Sequence, residues 1–222
     1  MQPILYITLV GPLLTSDAVQ LGAGNAYQVF VPGTLVQLGI FGALFVGLIA
    51  EYRAGVIESQ RVTPASRTAL LLGRVLRDVV VLLVQGGLLV LVAIPLGLRA
   101  PVVGVLLTLV VIALLGAAFA SVSYALALAL TLKRETAFAP LLNAVVLPVL
   151  LLSGILLPMS LAPGWLQAIS DVNPIKHVVE GTRAFFDGDY GSGTAGWGAA
   201  LTVALGVLGW WFGVRRFRQG SS

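Results

Sequence analysis

The chain has 222 residues, of which 58% are hydrophobic and only 10% are charged, with a mean hydropathy of +1.00. Soluble domains carry about 25% charged residues, so this chain lacks the polar surface to cover a soluble globule. Its net charge of +4 does not indicate nucleic acid as a partner, because the arginines lie beside apolar runs. The absence of cysteine excludes disulfides, thiolate metal sites and a cysteine nucleophile.

Several apolar runs reach about 20 residues, the length that crosses a bilayer as a helix. We therefore predict an all-α integral membrane protein, with residues 1–222 forming a single transmembrane domain. Its six predicted spans cover, in chain order, about residues 3–21, 34–50, 79–98, 102–132, 138–157 and 197–214. Pro32-Gly33 is expected to mark the start of the second span, and Pro148 and Gly154 are expected to interrupt the fifth.

Lysine and arginine are distributed unevenly between the two sides of this arrangement. Ten of them fall on one side, within residues 51–78, 133–135 and 215–218, and three fall on the other, at Arg99, Lys176 and Arg183. The positive-inside rule makes the first side cytoplasmic. Both chain termini are then cytoplasmic, which six spans satisfy, and residues 158–193 are external.

A charged island, Glu51–Arg67, separates the second and third predicted spans. Gly55 breaks its first half, while Thr63 can cap a helix whose first position is Pro64. The pattern predicts a short helix over about residues 54–60, a turn, and then the helix of the third span. Such a cytoplasmic helix can fit a groove on a partner; a solvated loop with positive-inside anchors is the alternative.

The predicted external segment carries two helix signals. Pro163-Gly164-Trp165 can open a short helix that ends near Ser170, and Asn173 can cap a second helix that starts at Pro174. The second helix has an apolar stripe that includes Phe185 and Phe186, opposite Lys176, Glu180 and Arg183. We expect both helices to lie at the outer leaflet, with Trp165, Phe185 and Phe186 at the interface.

Polar side chains within the predicted spans must find partners in the bundle or line a wet path. They are Gln85 in the third span, Ser121, Ser123 and Tyr124 in the fourth, and Asn143 and Ser153 in the fifth. One interpretation is hydrogen bonding between helices. The other, for Gln85, Tyr124, Asn143 and Ser153, is contact with a transported molecule or with a second copy of the chain.

Gly209 and Gly213 form a G-x-x-x-G pattern in the sixth span, which we interpret as ordinary close packing. His177 has neither a second histidine nor a cysteine with which to bind a metal. It is interpreted as an interfacial surface residue, with a pH or substrate role as the alternative.

The chain also lacks two kinds of energy-coupling chemistry. Neither of its lysines, Lys133 and Lys176, belongs to a G-x-x-x-x-G-K-[ST] phosphate loop, so ATP hydrolysis by that mechanism is not expected. Carboxylates deep in the spans are missing as well, because Asp78 falls at a predicted boundary beside Arg77. This weakens the hypothesis of a proton-driven transporter.

The island resembles the charged loop of type 2 ABC-transporter permeases, which follow a pattern near E-[RK]-x-x-G-[TS]-x-E-x-L-x-x-[TS]-P-x-[SR]-R after their second span. The matching residues are Arg53, Gly55, Glu58, Thr63, Pro64, Ser66 and Arg67. Val31-Pro32-Gly33 resembles the start of that family's second span. Leu166-Gln167 and Asn173-Pro174, with Arg183 and Phe185 beyond, are similar to its external region. The resemblance is strongest to daunorubicin-resistance-type multidrug permeases.

The resemblance implies a permease subunit of an ATP-driven exporter of hydrophobic or amphipathic cargo, in a bacterial plasma (inner) membrane. A separate ABC ATPase would bind ATP and Mg²⁺, this chain would bind no cofactor, and a second permease copy would complete a homodimer or heterodimer. The expected ATPase contacts are Glu51, Arg53, Glu58 and Arg61, in an element shaped by Gly55, Thr63, Pro64 and Arg67. The expected external gate comprises Trp165, Asn173, Pro174, Arg183 and Phe185.

Family members usually carry an amphipathic helix before the first span, whereas this chain begins almost inside that span. A truncated start or a lost helix would explain the difference, and either makes the island more important for the ATPase contact. Other functions remain as alternatives: an ion-coupled secondary transporter, a polysaccharide- or lipid-exporting ABC permease, and a membrane scaffold without transport activity.

Overall fold

The computed structural model describes residues 26–42, 67–130, 148–155 and 159–219, and every regular element within these ranges is helical. The elements are α1 (Ala26–Gln37), a π-helical segment (Leu38–Gly42), α2 (Arg67–Ala93), α3 (Val102–Leu130), a 3₁₀ turn (Met159–Leu161), α4 (Gly164–Asp171), α5 (Pro174–Asp187) and α6 (Gly193–Gln219). Residues 148–152 form a further short helical segment. The predicted all-α class therefore holds over the described part of the chain.

Three of these helices are long and apolar enough to cross a membrane. The candidate spans are Leu72–Ala93 in α2, Val102–Tyr124 in α3 and Gly193–Gly213 in α6. The predicted span at residues 3–21 lies outside the described residues, as do residues 43–50 of the second predicted span and most of the fifth, at 138–157. The six-span arrangement therefore stays a prediction.

Helix α2 contains the third predicted span. Its candidate membrane span, Leu72–Ala93, starts earlier than the predicted span 79–98 and includes Arg74 and Arg77. The helix begins at Arg67, close to the start predicted at Pro64, and it ends at Ala93. The chain turns there because Gly97 has a φ of 110°, and the Leu98 amide donates to the Ala93 carbonyl at 3.0 Å. A residue without a Cβ atom adopts this backbone conformation at little cost.

Pro32-Gly33 does not begin a helix, contrary to the prediction. Helix α1 starts at Ala26 and continues through Pro32 to Gln37. Proline in a helix interior cannot donate a backbone hydrogen bond and therefore weakens the helix locally. The π-helical segment Leu38–Gly42 follows directly, so the described part of the second predicted span leaves regular α geometry at Leu38.

Glycines let α3, α5 and α6 approach one another closely. A Cβ atom on Gly209 would lie 2.7 Å from the Ala118 Cβ, and one on Gly213 would lie 2.6 Å from the Ser121 Cβ. The close packing predicted for the G-x-x-x-G pattern is thus confirmed, and its partner is α3 of the same chain. Gly181 of α5 and Gly198 of α6 meet in the same way, at 2.8–2.9 Å.

Helices α4 and α5 confirm the two short helices predicted between the last two spans, but the exposure to the membrane interface predicted for Phe185 and Phe186 is wrong. Val179 and Phe186 are completely buried, and Phe185 is 7% exposed. Their apolar face packs against helices of the same chain, including α1, α3 and α6, so it is covered by protein. Of the three residues predicted at the interface, only Trp165 on α4 is exposed, at 67%.

Replacing Gly104 in α3 with alanine should destabilise the bundle, because a Cβ atom there would lie 2.0 Å from the Phe185 carbonyl oxygen. We expect the free energy of unfolding of Gly104→Ala to fall by about 1–3 kcal/mol, the usual cost of overpacking. Gly87→Ala is the matched control, since nothing lies within 4 Å of a Cβ atom at that position and alanine favours a helix interior. Thermal unfolding in detergent compares the two variants, and equal melting temperatures would contradict the close approach of α3 and α5.

Candidate functional site: two polar junctions in the bundle

A half-buried arginine joins three separate pieces of the chain. From α5, the Arg183 Nε donates to the Val29 carbonyl of α1 at 3.1 Å, and its Nη2 donates to the Gly154 carbonyl at 2.6 Å. Burial lowers the pKa of the Arg183 guanidinium to about 10, against the opposing effect of Glu180 and Asp187. The side chain therefore stays protonated at neutral pH and donates charge-assisted hydrogen bonds. We call this contact the Arg183 junction.

The Gly154 carbonyl is available to Arg183 because the helical segment 148–152 ends just before it. The Ser153 Oγ donates to the Leu150 carbonyl at 2.6 Å, and Gly154 takes a left-handed φ of 68°. The predicted interruption of the fifth span at Gly154 is thus observed. Gly33 of α1 packs directly on this break, since a Cβ atom there would lie 2.3 Å from the Ile155 carbonyl oxygen.

Asn173 fastens the other end of α5 to the same segment. Its Oδ1 accepts from the Ile175 amide at 3.0 Å, which confirms the predicted helix cap, and Pro174 is the first helical residue. Its Nδ2 donates to the Val149 carbonyl at 3.2 Å. Helix α5 is therefore attached to residues 148–155 at both ends, by Asn173 and by Arg183.

Most of the predicted external-gate residues come together around α5. Asn173, Pro174, Arg183 and Phe185 all belong to it or to its cap, and buried Phe185 shares a core cluster with Ile155. Trp165 is on the exposed surface of α4. Between α4 and the segment 148–152 lies an open groove of about 620 Å³. Its lining is almost entirely apolar and consists of Val149, Leu152, Ala168, Ile169, Val172 and Asn173.

One ion pair and one hydrogen bond connect α4 to α5. The buried Lys176 Nζ contacts the Asp171 carboxylate of α4 and lies 3.6 Å from the Glu180 carboxylate. The hydrogen bond from Lys176 lowers the pKa of the Asp171 carboxyl below its ordinary value. His177 is half-buried, with its Nε2 3.0 Å from the Asp171 carbonyl oxygen. The charged residues of α5, the predicted amphipathic helix, therefore largely bind other groups of the same chain.

A second polar cluster lies where α2 and α3 pack together, about three helical turns after the first residue of α2. The Tyr124 hydroxyl donates to Asp78 Oδ2 at 2.6 Å, and the Arg77 Nε and Nη2 donate to Asp78 Oδ1 at 3.3 and 3.2 Å. The Arg74 guanidinium carbon lies 5.7 Å from the centre of the Tyr124 ring, within the range of a cation–π contact. We call this cluster the Asp78 junction.

Sequence reasoning missed the importance of Asp78. It placed this residue at a span boundary, whereas Asp78 lies within the candidate span Leu72–Ala93 and is 4% exposed. The signal was available, since an acidic residue at the edge of a long apolar run needs a partner, and Arg77 stands beside it. The partner on α3, Tyr124, was selected from the sequence as a buried polar residue, and it is 1% exposed.

The remaining predicted site residues are spread out or lie outside the described residues. Ser153 is buried, as expected, and bonds within its own helical segment. Gln85 is exposed on α2 rather than buried as predicted. Arg67 is the first residue of α2. The structure does not describe the other predicted ATPase contacts or Asn143, which are Glu51, Arg53, Gly55, Glu58, Arg61, Thr63, Pro64 and Asn143.

Comparison with known families identifies the chain. The family model for ABC-2 type transporters matches residues 1–186, which include the island and reach through the Arg183 junction to Phe186. The chain belongs to the ABC-2 type transporter family. This confirms the resemblance to type 2 ABC-transporter permeases that the island and the Asn173-Pro174 region suggested.

The relatives of this ABC-2 chain include named transport permeases. It is 31% identical over 219 residues to the daunorubicin resistance ABC transporter permease protein DrrB1 of Streptomyces coeruleorubidus, covering 94% of this chain and 73% of that protein. The ycf38 protein of Cyanophora paradoxa, which is also named as a transport permease, is 27% identical over 197 residues. This match covers 84% of this chain. The chain spans only 66% of that ycf38 protein. No solved structure matches this ABC-2 chain.

Arg183→Lys should lower the stability of this ABC-2 permease although it keeps the positive charge, because an ammonium group lacks the planar fork that reaches two carbonyls. We expect a loss of about 2–4 kcal/mol in the free energy of unfolding, since buried charge-assisted hydrogen bonds are broken or distorted. Arg99→Lys, on an exposed arginine in the α2–α3 loop, is the matched control. Equal thermal unfolding of the two variants would show that the Arg183 bonds contribute nothing.

Proposed function

We propose that this chain is the membrane-spanning subunit of an ATP-driven ABC exporter, which uses the energy of a separate ATPase subunit to move cargo outward. The observation that carries the proposal is the family match over residues 1–186, which includes the charged island. The chain has no phosphate loop of its own. ATP and Mg²⁺ would therefore be bound by the partner ATPase and not by this chain.

The island is proposed to receive the motion of the ATPase. Glu51, Arg53, Glu58 and Arg61 would make the polar contacts, and Gly55, Thr63, Pro64 and Arg67 would shape the element. A rigid continuation supports this role: α2 begins at Arg67, the last residue of the island, and runs without interruption to Ala93. A displacement of the island would therefore pass directly into a long helix.

The proposed cargo is hydrophobic or amphipathic. The relative from Streptomyces coeruleorubidus is named for resistance to daunorubicin. The groove between α4 and residues 148–152 supports this class of cargo, because its lining is apolar apart from Asn173 and its size lies in the range of small-molecule sites. Gln85, Tyr124, Asn143 and Ser153 remain proposed for a cargo path or a seam between copies, and the residues around α5 for an external gate.

The proposed assembly contains two permease copies, as a homodimer or a related heterodimer, in a bacterial plasma (inner) membrane. Each copy would have six spans with both termini in the cytoplasm, because ten of the thirteen basic residues then face the cytoplasm. Helices α4 and α5 would lie at the external end, where the Arg183 junction would stabilise the exit.

An ion-coupled secondary transporter is the second candidate, and one observation favours it. Asp78 is a buried carboxylate within a candidate span, and intramembrane acids are common in proton relays. Export from reconstituted vesicles separates the candidates, because it would follow ATP in the first case and an imposed proton gradient without ATPase in the second.

Charge reversal of Glu58 to arginine should uncouple ATP hydrolysis from export while the protein still inserts, because the residue would repel its partner on the ATPase. Daunorubicin export and ATP turnover by the permease–ATPase complex in vesicles measure the effect, which we expect to reach at least about tenfold in export. Glu135→Arg, in another predicted cytoplasmic loop, is the matched control. Normal export by Glu58→Arg would refute the coupling role of this residue.

The proposed orientation can be tested with single cysteines, because the natural chain has none. In intact cells, a membrane-impermeant maleimide should label Tyr190→Cys, before α6, because this position is proposed to be external. Ser59→Cys in the island and Ser221→Cys at the C-terminus should react only after the membrane is permeabilised. The opposite labelling pattern would reverse the proposed orientation.

A further inference from the structure

Helix α2 packs on α3 largely through apolar side chains. One side of it is exposed over most of its length, as Leu76, Val80, Val84 and Leu88 show. Its other side packs on α3 through apolar contacts in which small residues allow close approach, as where Leu82 of α2 meets Gly116. Apolar contacts are not directional, so they resist separation of two helices better than they resist a shift along the helix axis.

Among the described residues, the Asp78 junction supplies directional contacts between these two helices. Its hydrogen bond joins Oδ2 of Asp78 on α2 to the hydroxyl of Tyr124 on α3, and both residues are buried. Moving one helix past the other would break this bond and leave one oxygen of a buried carboxylate without its donor, which is costly in an apolar surrounding. The junction therefore fixes α3 to the helix that continues directly from the island.

We infer that Asp78 and Tyr124 are positioning residues for transport, which make α2 and α3 move as one unit when the island is displaced. This inference rests on the proposed function, which it extends to residues beyond the island. Contacts of α3 carry the path further. Gly104 lies against the Phe185 carbonyl of α5, and α5 holds the Arg183 junction. A displacement at one end of α2 thereby reaches the groove beside α4.

Coupling efficiency tests this role. Tyr124→Phe keeps the ring that faces Arg74 and removes only the hydroxyl, whereas Asp78→Asn keeps an acceptor and removes the charge. In vesicles that contain the permease and its ATPase, we expect daunorubicin export per ATP hydrolysed to fall at least about fivefold in Tyr124→Phe, measured per inserted molecule. ATP turnover should remain, because neither residue belongs to the island.

A double variant and a matched control sharpen the test. Asp78→Asn combined with Tyr124→Phe should be no worse than the more damaging single change, since both act through one hydrogen bond. Ser121→Ala removes a hydroxyl that bonds within α3, to the Ala117 carbonyl, and should leave the ratio unchanged. Two results would overturn the inference. One is additive losses in the double variant. The other is an unchanged ratio of export to ATP hydrolysis in Tyr124→Phe, which includes an equal fall of both.

A second measurement does not depend on the cargo. Spin labels on Leu76→Cys and Leu114→Cys, at exposed positions of α2 and α3, report the distance between the helices. Vanadate-trapped ATP should leave this distance unchanged with the natural Tyr124 and change it in Tyr124→Phe. A second pair, on Ser59→Cys in the two permease copies, should respond in both proteins. If no pair responds to ATP, the proposed function fails together with this inference. If the Leu76–Leu114 distance behaves alike in both proteins while the Ser59 pair responds, only the inference fails.

Discussion

A helix that breaks inside an apolar bundle leaves carbonyl oxygens that lipid cannot satisfy. In this permease the break is at Gly154, and its carbonyl is satisfied by Arg183 from a helix later in the chain. The same guanidinium reaches α1 at Val29, so one side chain both resolves the unpaired backbone and connects three segments. The position of α5, and with it the groove beside α4, depends on this contact.

Close packing makes that contact possible. Gly33 lets α1 lie on the Gly154 break, Gly104 lets α3 lie on α5, and Gly181 lets α5 lie on α6. Each approach would be blocked by a single methyl group. These glycines allow α5 to pack within the bundle, where its apolar face is covered by protein. Among the described residues, the Arg183 guanidinium is held by backbone carbonyls and not by a directly bound carboxylate.

The Asp78 junction lies near the middle of α2 and near the C-terminal end of α3. Like the Arg183 junction, it joins helices through hydrogen bonds to an ionic side chain. Tyr124 of α3 belongs to the Asp78 junction, whereas Gly104, near the start of the same helix, packs against Phe185 of α5, and α5 carries Arg183. Helix α3 therefore links the two junctions along most of its length.

The sequence by itself determined the membrane class, the helical content, the helix cap at Asn173-Pro174 and the family, because these depend on composition, local capping geometry and short motifs. It did not determine that α5 is buried, that Gln85 is exposed, or that Pro32 lies inside a helix. Those outcomes depend on which surfaces meet in three dimensions. An apolar stripe such as that of Phe185 and Phe186 is equally satisfied by lipid or by protein, so only the tertiary structure decided between them. The same holds for the bonds of Arg183 and Asp78, whose partners on other helices are remote in the chain and follow no sequence periodicity.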